Sequence, residues 1–139
     1  MDLQELIDRQ QIVDLITAYT RAVDTARFAD LRDVFTEDAV LDYSSPGGPI
    51  GSLAEVTPFI ENLTGFERWQ HTIGQVSIDL DGDTARATAY FINPMVARNP
   101  DGSENLLEVG GYYHHELRRT PDGWRSARMA DEIVWTRGF

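Results

Sequence analysis

Apolar residues fall on a helical period through the first two dozen positions: Leu6, Ile12, Val13, Ile16, Tyr19 and Val23. They predict an amphipathic helix over about residues 3–23. Asp2 and Glu5 stand at capping-box spacing before it, with Asp in place of the usual Ser or Thr. Phe28, Leu31, Val34 and Phe35 share one side of a second, shorter helix predicted over about 27–35. Asp24 falls at the junction, where local sequence alone favours its capping the second helix. A third helix is predicted near 52–63, with Pro58 complicating its start or middle.

Between and after these helices the period changes to two. Ala39-Val40-Leu41-Asp42-Tyr43 predicts a short strand with Leu41 and Tyr43 on one face. Ser44-Ser45-Pro46-Gly47-Gly48-Pro49 predicts a loop. Val76, Ile78 and Leu80 alternate up to the turn Asp81-Gly82-Asp83, and Ala85, Ala87, Ala89 and Phe91 continue on a returning strand. Turns at Asn99-Pro100-Asp101-Gly102 and Thr120-Pro121-Asp122-Gly123 bound a strand at about 105–119 and a last one from Trp124 to about Trp135. Helices followed by a strand meander predict one α+β domain over 1–139. Its antiparallel sheet curves into a cone against three N-terminal helices. One conflict needs a device. His71 shares a face with Ile73 and Gln75, whereas the later stripe is Val76, Ile78 and Leu80, so a bulge is predicted near Gly74.

Charge and composition narrow the function. Twelve basic and 23 acidic residues give a formal net charge of -11, which argues against nucleic acid or an anionic membrane surface as partner. No cysteine is present, which excludes disulfides, a thiol nucleophile and a thiolate zinc site. No stretch approaches the roughly 18 apolar residues of a membrane span, and the start of the chain lacks a basic segment followed by an apolar run. The expectation is a cytoplasmic protein.

The three histidines can be weighed one by one. His114 and His115 are adjacent, so on a strand they face opposite ways and cannot readily hold one metal ion. No metal site is expected. His71 opens a strand beside Trp69 and Ile73, where it reads equally as a core residue or a base. No phosphate-binding glycine loop, nucleophile elbow or redox-cofactor motif stands out. Acid–base chemistry without a cofactor remains. An imidazole held by the Asp24 carboxylate would be a general base near neutral pH. The Tyr43 phenol would be placed to hold an oxygen on which charge develops. Gly111, in the set Val109, Gly111, Tyr113, His115 and Leu117, leaves space that suits a ligand pocket and ordinary packing against a helix equally.

With these residues placed, the chain resembles the nuclear-transport-factor-two-like superfamily, its SnoaL-like group, and within that the scytalone dehydratases. The block from Asp24 to Leu31-Arg32 carries the resemblance, with Leu41-Asp42-Tyr43, Gln70-His71 and Ile73-Gly74. Asp122-Gly123-Trp124-Arg125 and Asp131-Glu132-Ile133-Val134-Trp135 extend it to the end of the chain. The resemblance implies a cone whose mouth admits a small hydrophobic molecule, with Asp24, His71 and Tyr43 catalytic. Val23, Met95, Gly111 and Tyr113 stand where such dehydratases have other substrate-reading residues, and Tyr19 and Tyr113 are candidate replacement phenols.

The expected activity is a dehydratase or isomerase acting on a hydroxylated cyclic ketone, polyketide- or steroid-like. The alternatives are a non-catalytic ligand-binding module and a cyclase or epoxide-opening enzyme in which Asp24 acts alone. A homodimer or homotrimer is expected, with Tyr112, Trp135 and Phe139 as candidates to be covered.

Overall fold

The computed structural model describes residues 1–139. The first helix, α1 (Leu3–Asp24), starts in the predicted capping box: Asp2 accepts from the Glu5 amide at 2.9 Å and Glu5 accepts from the Asp2 amide at 3.2 Å. Its buried stripe runs through Ile12, Leu15, Ile16, Tyr19 and Val23, whereas Leu6 stays exposed. The predicted second helix is a 3-10 helix, Phe28–Asp33, closed by i to i+3 bonds such as Asp30 to Arg27 at 2.9 Å. No side chain caps it, so Asp24 is free for another role. Phe35, expected in that helix, instead opens strand β1 (Phe35–Asp42).

A loop then leads through β2 (Ile50–Gly51) to α2 (Leu53–Ile60), which tightens into a 3-10 turn at Glu61–Gly65. Ser52 and Glu55 form a second capping box at the start of α2. The remaining chain is strand: β3 (Arg68–Trp69), β4 (Thr72–Asp81), β5 (Thr84–Arg98), β6 (Glu104–Thr120) and β7 (Gly123–Arg137). The sheet order is β2-β1-β7-β6-β5-β3, and β4 also pairs with β5.

The sheet is mixed rather than wholly antiparallel, because β1 runs parallel to β7 with Leu41 opposite Met129. Alternation fixes which face a residue occupies but carries no strand direction. The predicted bulge is present: Ile73 faces Phe91 but Val76 faces Ala89, so β4 carries one extra residue beside Gly74. It returns Val76, Ile78 and Leu80 to the inner face, where they pack on the core with Ile73. Further irregularities at Gly110/Gly111 and Glu116/Leu117 bend β6 and β7.

The curved sheet wraps one 22-residue core that includes the buried stripe of α1. Near its N-terminus, α1 is fastened to the β6–β7 hairpin by buried Asp8. That carboxylate accepts from Arg119 Nη1 and Nη2 at 2.8 and 3.0 Å, from Trp124 Nε1 at 3.1 Å and from Gln4 at 3.0 Å. The Arg119 guanidinium holds the Asp8 carboxyl well below the usual carboxylate range. On the outside of the sheet Tyr90, Ile92, Val134 and Trp135 are exposed and Tyr112 is half-buried. No helix is long and apolar enough to cross a membrane.

Candidate active site

The sheet is interrupted between β3 and β4, and His71 stands in the gap. Its main-chain amide is therefore not used by a neighbouring strand. Asp24, the last residue of α1, takes both groups that His71 offers. Asp24 Oδ2 accepts from the His71 amide at 2.8 Å, and Asp24 Oδ1 lies 2.6 Å from His71 Nδ1. The end of α1 is held in register by Trp69, whose Nε1 donates to the Val23 carbonyl at 3.1 Å. The His71 side chain is only 4% exposed.

The carboxylate can only accept, so in neutral His71 the proton sits on Nδ1. The lone pair is then on Nε2, which has no protein partner.

His71 lines a cavity of about 240 Å³ whose wall is mostly apolar. Tyr19, Val23, Tyr43, Met95 and Tyr113 also line it, whereas Asp24 is not in the wall and is bound to His71 through Nδ1 and the main-chain amide. Helix α2 and the turn after it supply Phe59, Ile60 and Leu63. Phe139 contributes too, although it was expected on a covered outer face.

Gly111 does not reach this cavity. A side chain there would strike the Glu132 carbonyl at the β6–β7 bulge, so the space it leaves belongs to main chain. The other histidines lie outside the cavity as well. His114 faces outward toward Thr88 and Glu132, at 3.0 and 3.2 Å. His115 is buried in the core 2.9 Å from Ser126 Oγ, and burial pushes its imidazole down to about 4.

The phenols form a cluster. The Tyr19 and Tyr43 hydroxyls are hydrogen-bonded to each other. Tyr113 packs edge-on against Tyr19 at 5.3 Å and stacks on Phe91 at 4.1 Å. The His71 ring lies 6.4 Å from the Tyr113 ring. Burial raises all three phenols above their ordinary range, so they remain neutral O–H donors.

Two polar residues in this wall were missed by sequence reasoning. Asp131 on β7 pairs in register with Tyr113, and its Oδ1 is sealed from solvent without a hydrogen-bond partner. Burial pushes its carboxyl up to about 7. Asn93 on β5 is buried between Phe91 and Met95, and its Oδ1 is likewise unpartnered. The available signal was a polar residue on an otherwise apolar strand face.

The arrangement combines a carboxylate-held imidazole, neutral phenols and a buried carboxyl around one apolar space. Such a constellation can remove a proton from carbon and stabilise the oxygen that receives the charge.

A family model of the SnoaL-like domain matches residues 4–130. The uncharacterized protein Rv2910c of Mycobacterium tuberculosis is 36% identical over 132 residues, covering 94% of this chain and 88% of its own. Among solved structures, a candidate scytalone dehydratase from Novosphingobium aromaticivorans has TM-score 0.84 at 16% identity, over 97% of this chain and 89% of that one. The hexachlorocyclohexane dehydrochlorinase LinA (type 2) also has TM-score 0.84, at 15% identity, over 100% and 93% of the two chains. At these identities the structural likeness is one of fold.

Proposed function

The chain belongs to the SnoaL-like domain family, and on that premise we propose that it is a cofactor-free acid–base enzyme. Its class is lyase or isomerase, and its substrate is a small hydrophobic hydroxylated cyclic ketone. The observation that carries this reading is the contact between Asp24 Oδ1 and His71 Nδ1, 2.6 Å long, in the wall of an apolar cavity.

Neutral His71 removes a proton alpha to the carbonyl through Nε2. The C–H electron pair becomes a C=C bond and the carbonyl π pair moves onto oxygen. Asp24 stabilises the imidazolium that forms, and the Tyr43 O–H donates toward the enolate oxygen, directly or through a water. The imidazolium then returns its proton. Delivery to a departing hydroxyl gives dehydration, and delivery to another carbon gives isomerisation.

General base catalysis of this kind contributes roughly two to four powers of ten. Orientation within the cavity supplies much of the remainder. The cavity is smaller than the roughly 300–1,000 Å³ usual for ligand pockets, which supports a substrate of one or two rings.

The test is deuterium uptake. A panel of cyclic ketones is incubated with enzyme in D2O, and alpha exchange is followed by NMR. We expect exchange with the wild type and its loss in His71→Ala and Asp24→Asn, both still folded by circular dichroism. Undiminished exchange in either variant would end the proposal. Saturable binding with no exchange by the wild type would favour a ligand-binding module.

A further inference from the structure

The Asp24–His71 contact depends on a carboxylate that stands in an awkward place. Asp24 is the last residue of α1, and helix ends fray. Beyond it the chain turns back sharply. The Arg27 amide donates to the Ala22 carbonyl at 2.8 Å and the Ala26 amide to the Val23 carbonyl at 3.2 Å, the paired bonds of a Schellman ending. The left-handed residue of that motif is Ala26, at φ 56°, where glycine is the usual occupant. It is the one non-glycine residue of the chain with a positive φ. Local preference therefore opposes this turn, and contacts from elsewhere in the molecule must hold it.

One short strip of the sheet supplies them. Strand β3 is only two residues long, yet it is firmly seated on β5. Trp69 pairs with Met95, and the flanking amides of Glu67 and Gln70 donate to the Val96 and Pro94 carbonyls at 2.8 and 3.2 Å. From this strip Trp69 Nε1 donates to the Val23 carbonyl at 3.1 Å. Two residues on, His71 takes Asp24 through its ring and its amide. Consecutive residues of the helix end are thus held by alternate residues of one strip. Trp69 is half-buried and does not line the cavity; it stands in a separate groove with Arg21, Asp24 and Pro94.

We propose that Trp69 is a positioning residue for the dyad. Its indole N–H anchors the end of α1 by the Val23 main chain, so the Asp24 carboxylate is not also the fastener of the helix. The carboxylate then keeps the geometry in which Oδ1 meets Nδ1 and fixes the imidazole tautomer.

Without the indole bond, the carboxylate's own two bonds are what ties residues 23 and 24 to the strip. Each fraying of the last turn then moves the carboxylate, and the imidazole loses its fixed partner. Proton transfer is sensitive to displacements of roughly 1 Å, so the consequence falls on the chemical step. Binding is spared, because the indole does not touch the cavity. The part of this that concerns turnover rests on the function proposed above; the part that concerns the dyad's geometry does not.

The test removes one N–H. Replacing Trp69 by 3-benzothienylalanine puts sulfur where the indole Nε1–H stood and keeps the shape of the ring; Trp69→Phe is the genetic counterpart. Long-range 1H–15N spectra of histidine-labelled protein read the dyad directly. In the wild type the two ring nitrogens of neutral His71 should be widely separated in shift, as for a fixed Nδ1–H tautomer. In both Trp69 forms they should draw together as the ring samples both tautomers. With a ketone that the wild type exchanges, kcat should fall about tenfold, and KM should stay within about twofold. In an Asp24→Asn background the same Trp69 change should alter kcat by less than about twofold, because the group it positions is already disabled.

Ring shifts that do not differ between the wild type and the Trp69 forms would overturn the proposal. So would a loss carried by KM rather than kcat, or an undiminished loss in the Asp24→Asn background, which would give Trp69 a role independent of Asp24. If Trp69→Phe fails to fold, the benzothienyl form decides. A wild type that exchanges no ketone defeats the enzyme reading alone, and the ring shifts then judge Trp69 by themselves. Exchange by the wild type, with shifts and kcat unchanged in the Trp69 forms, defeats this proposal alone.

Discussion

Helix α1 sends a carboxylate into the sheet from each end, and the two are used in opposite ways. Asp8, near the start, is saturated by Arg119, Trp124 and Gln4. Its main partner is a permanent cation with no acceptor and no accessible proton exchange. Asp24, at the other end, meets an imidazole and that residue's own amide. The imidazole can take up and release a proton, and its second nitrogen is uncommitted. The carboxylate–cation contact resembles the carboxylate–imidazole contact in length, but the first can only fasten the helix. What the partner can do with a proton, and whether its far side meets a cavity, separates anchor from candidate catalyst. Asp131 marks a third condition, a buried carboxyl with no partner for Oδ1.

Breaking each condition should give a different signature. The largest effect is expected at Asp24: Asp24→Asn should lower kcat by about a thousandfold while the melting temperature moves little. Steady-state turnover of an exchangeable ketone, with a thermal melt on the same sample, checks both halves.

Next comes Asp131→Asn. The folded carboxyl is raised to about 7, so between its ordinary value of 3.8 and 7 the folded state holds a proton that the unfolded state has released. Wild-type stability therefore falls as pH rises through that window and is level above it. The uncharged Asn variant should be more stable by about 2–4 kcal/mol at pH 8, with the gain vanishing below pH 4. Urea titrations across pH would show it, and a pH-independent difference would remove Asp131 as its source.

Asp8→Ala should depress the melting temperature by roughly 5–10 °C but leave turnover per folded molecule within about twofold. Here the sign is reversed. The folded carboxyl is depressed, so its contribution is present above pH 3.8 and is lost as pH falls toward the folded value. The variant and wild type should therefore converge in strong acid. The smallest effect is expected at Ser52, which caps the helix that carries Phe59 and Ile60 to the cavity. Ser52→Ala should cost about 1 kcal/mol by urea titration, with a slight loss of ligand affinity.

Much of this molecule could be read in its residues. Periodicity placed α1 and the long strands, and the parity conflict between His71 and Val76 located the bulge in β4. Family resemblance, rather than local pattern, drew Asp24 toward His71; locally Asp24 read as a helix cap. The direction of β1 against β7 was not legible, because a parallel and an antiparallel partner ask for the same alternation. Gly111 misled for a related reason. A missing side chain says that something comes close, but not whether it is a ligand or the Glu132 carbonyl. Asp131 and Asn93 escaped notice because a lack of partners is a property of three-dimensional surroundings. No spacing in the chain encodes it.

The gap between β3 and β4 has one more consequence. Half of the grip on Asp24 comes from the main-chain amide of residue 71, which survives any change of side chain there except proline. Removing the imidazole thus leaves the carboxylate docked beside a hole of imidazole size. Free imidazole supplied in the buffer should settle into that hole, bind the waiting carboxylate and restore part of the lost turnover to His71→Ala. An Asp24→Asn enzyme should gain nothing from the same treatment.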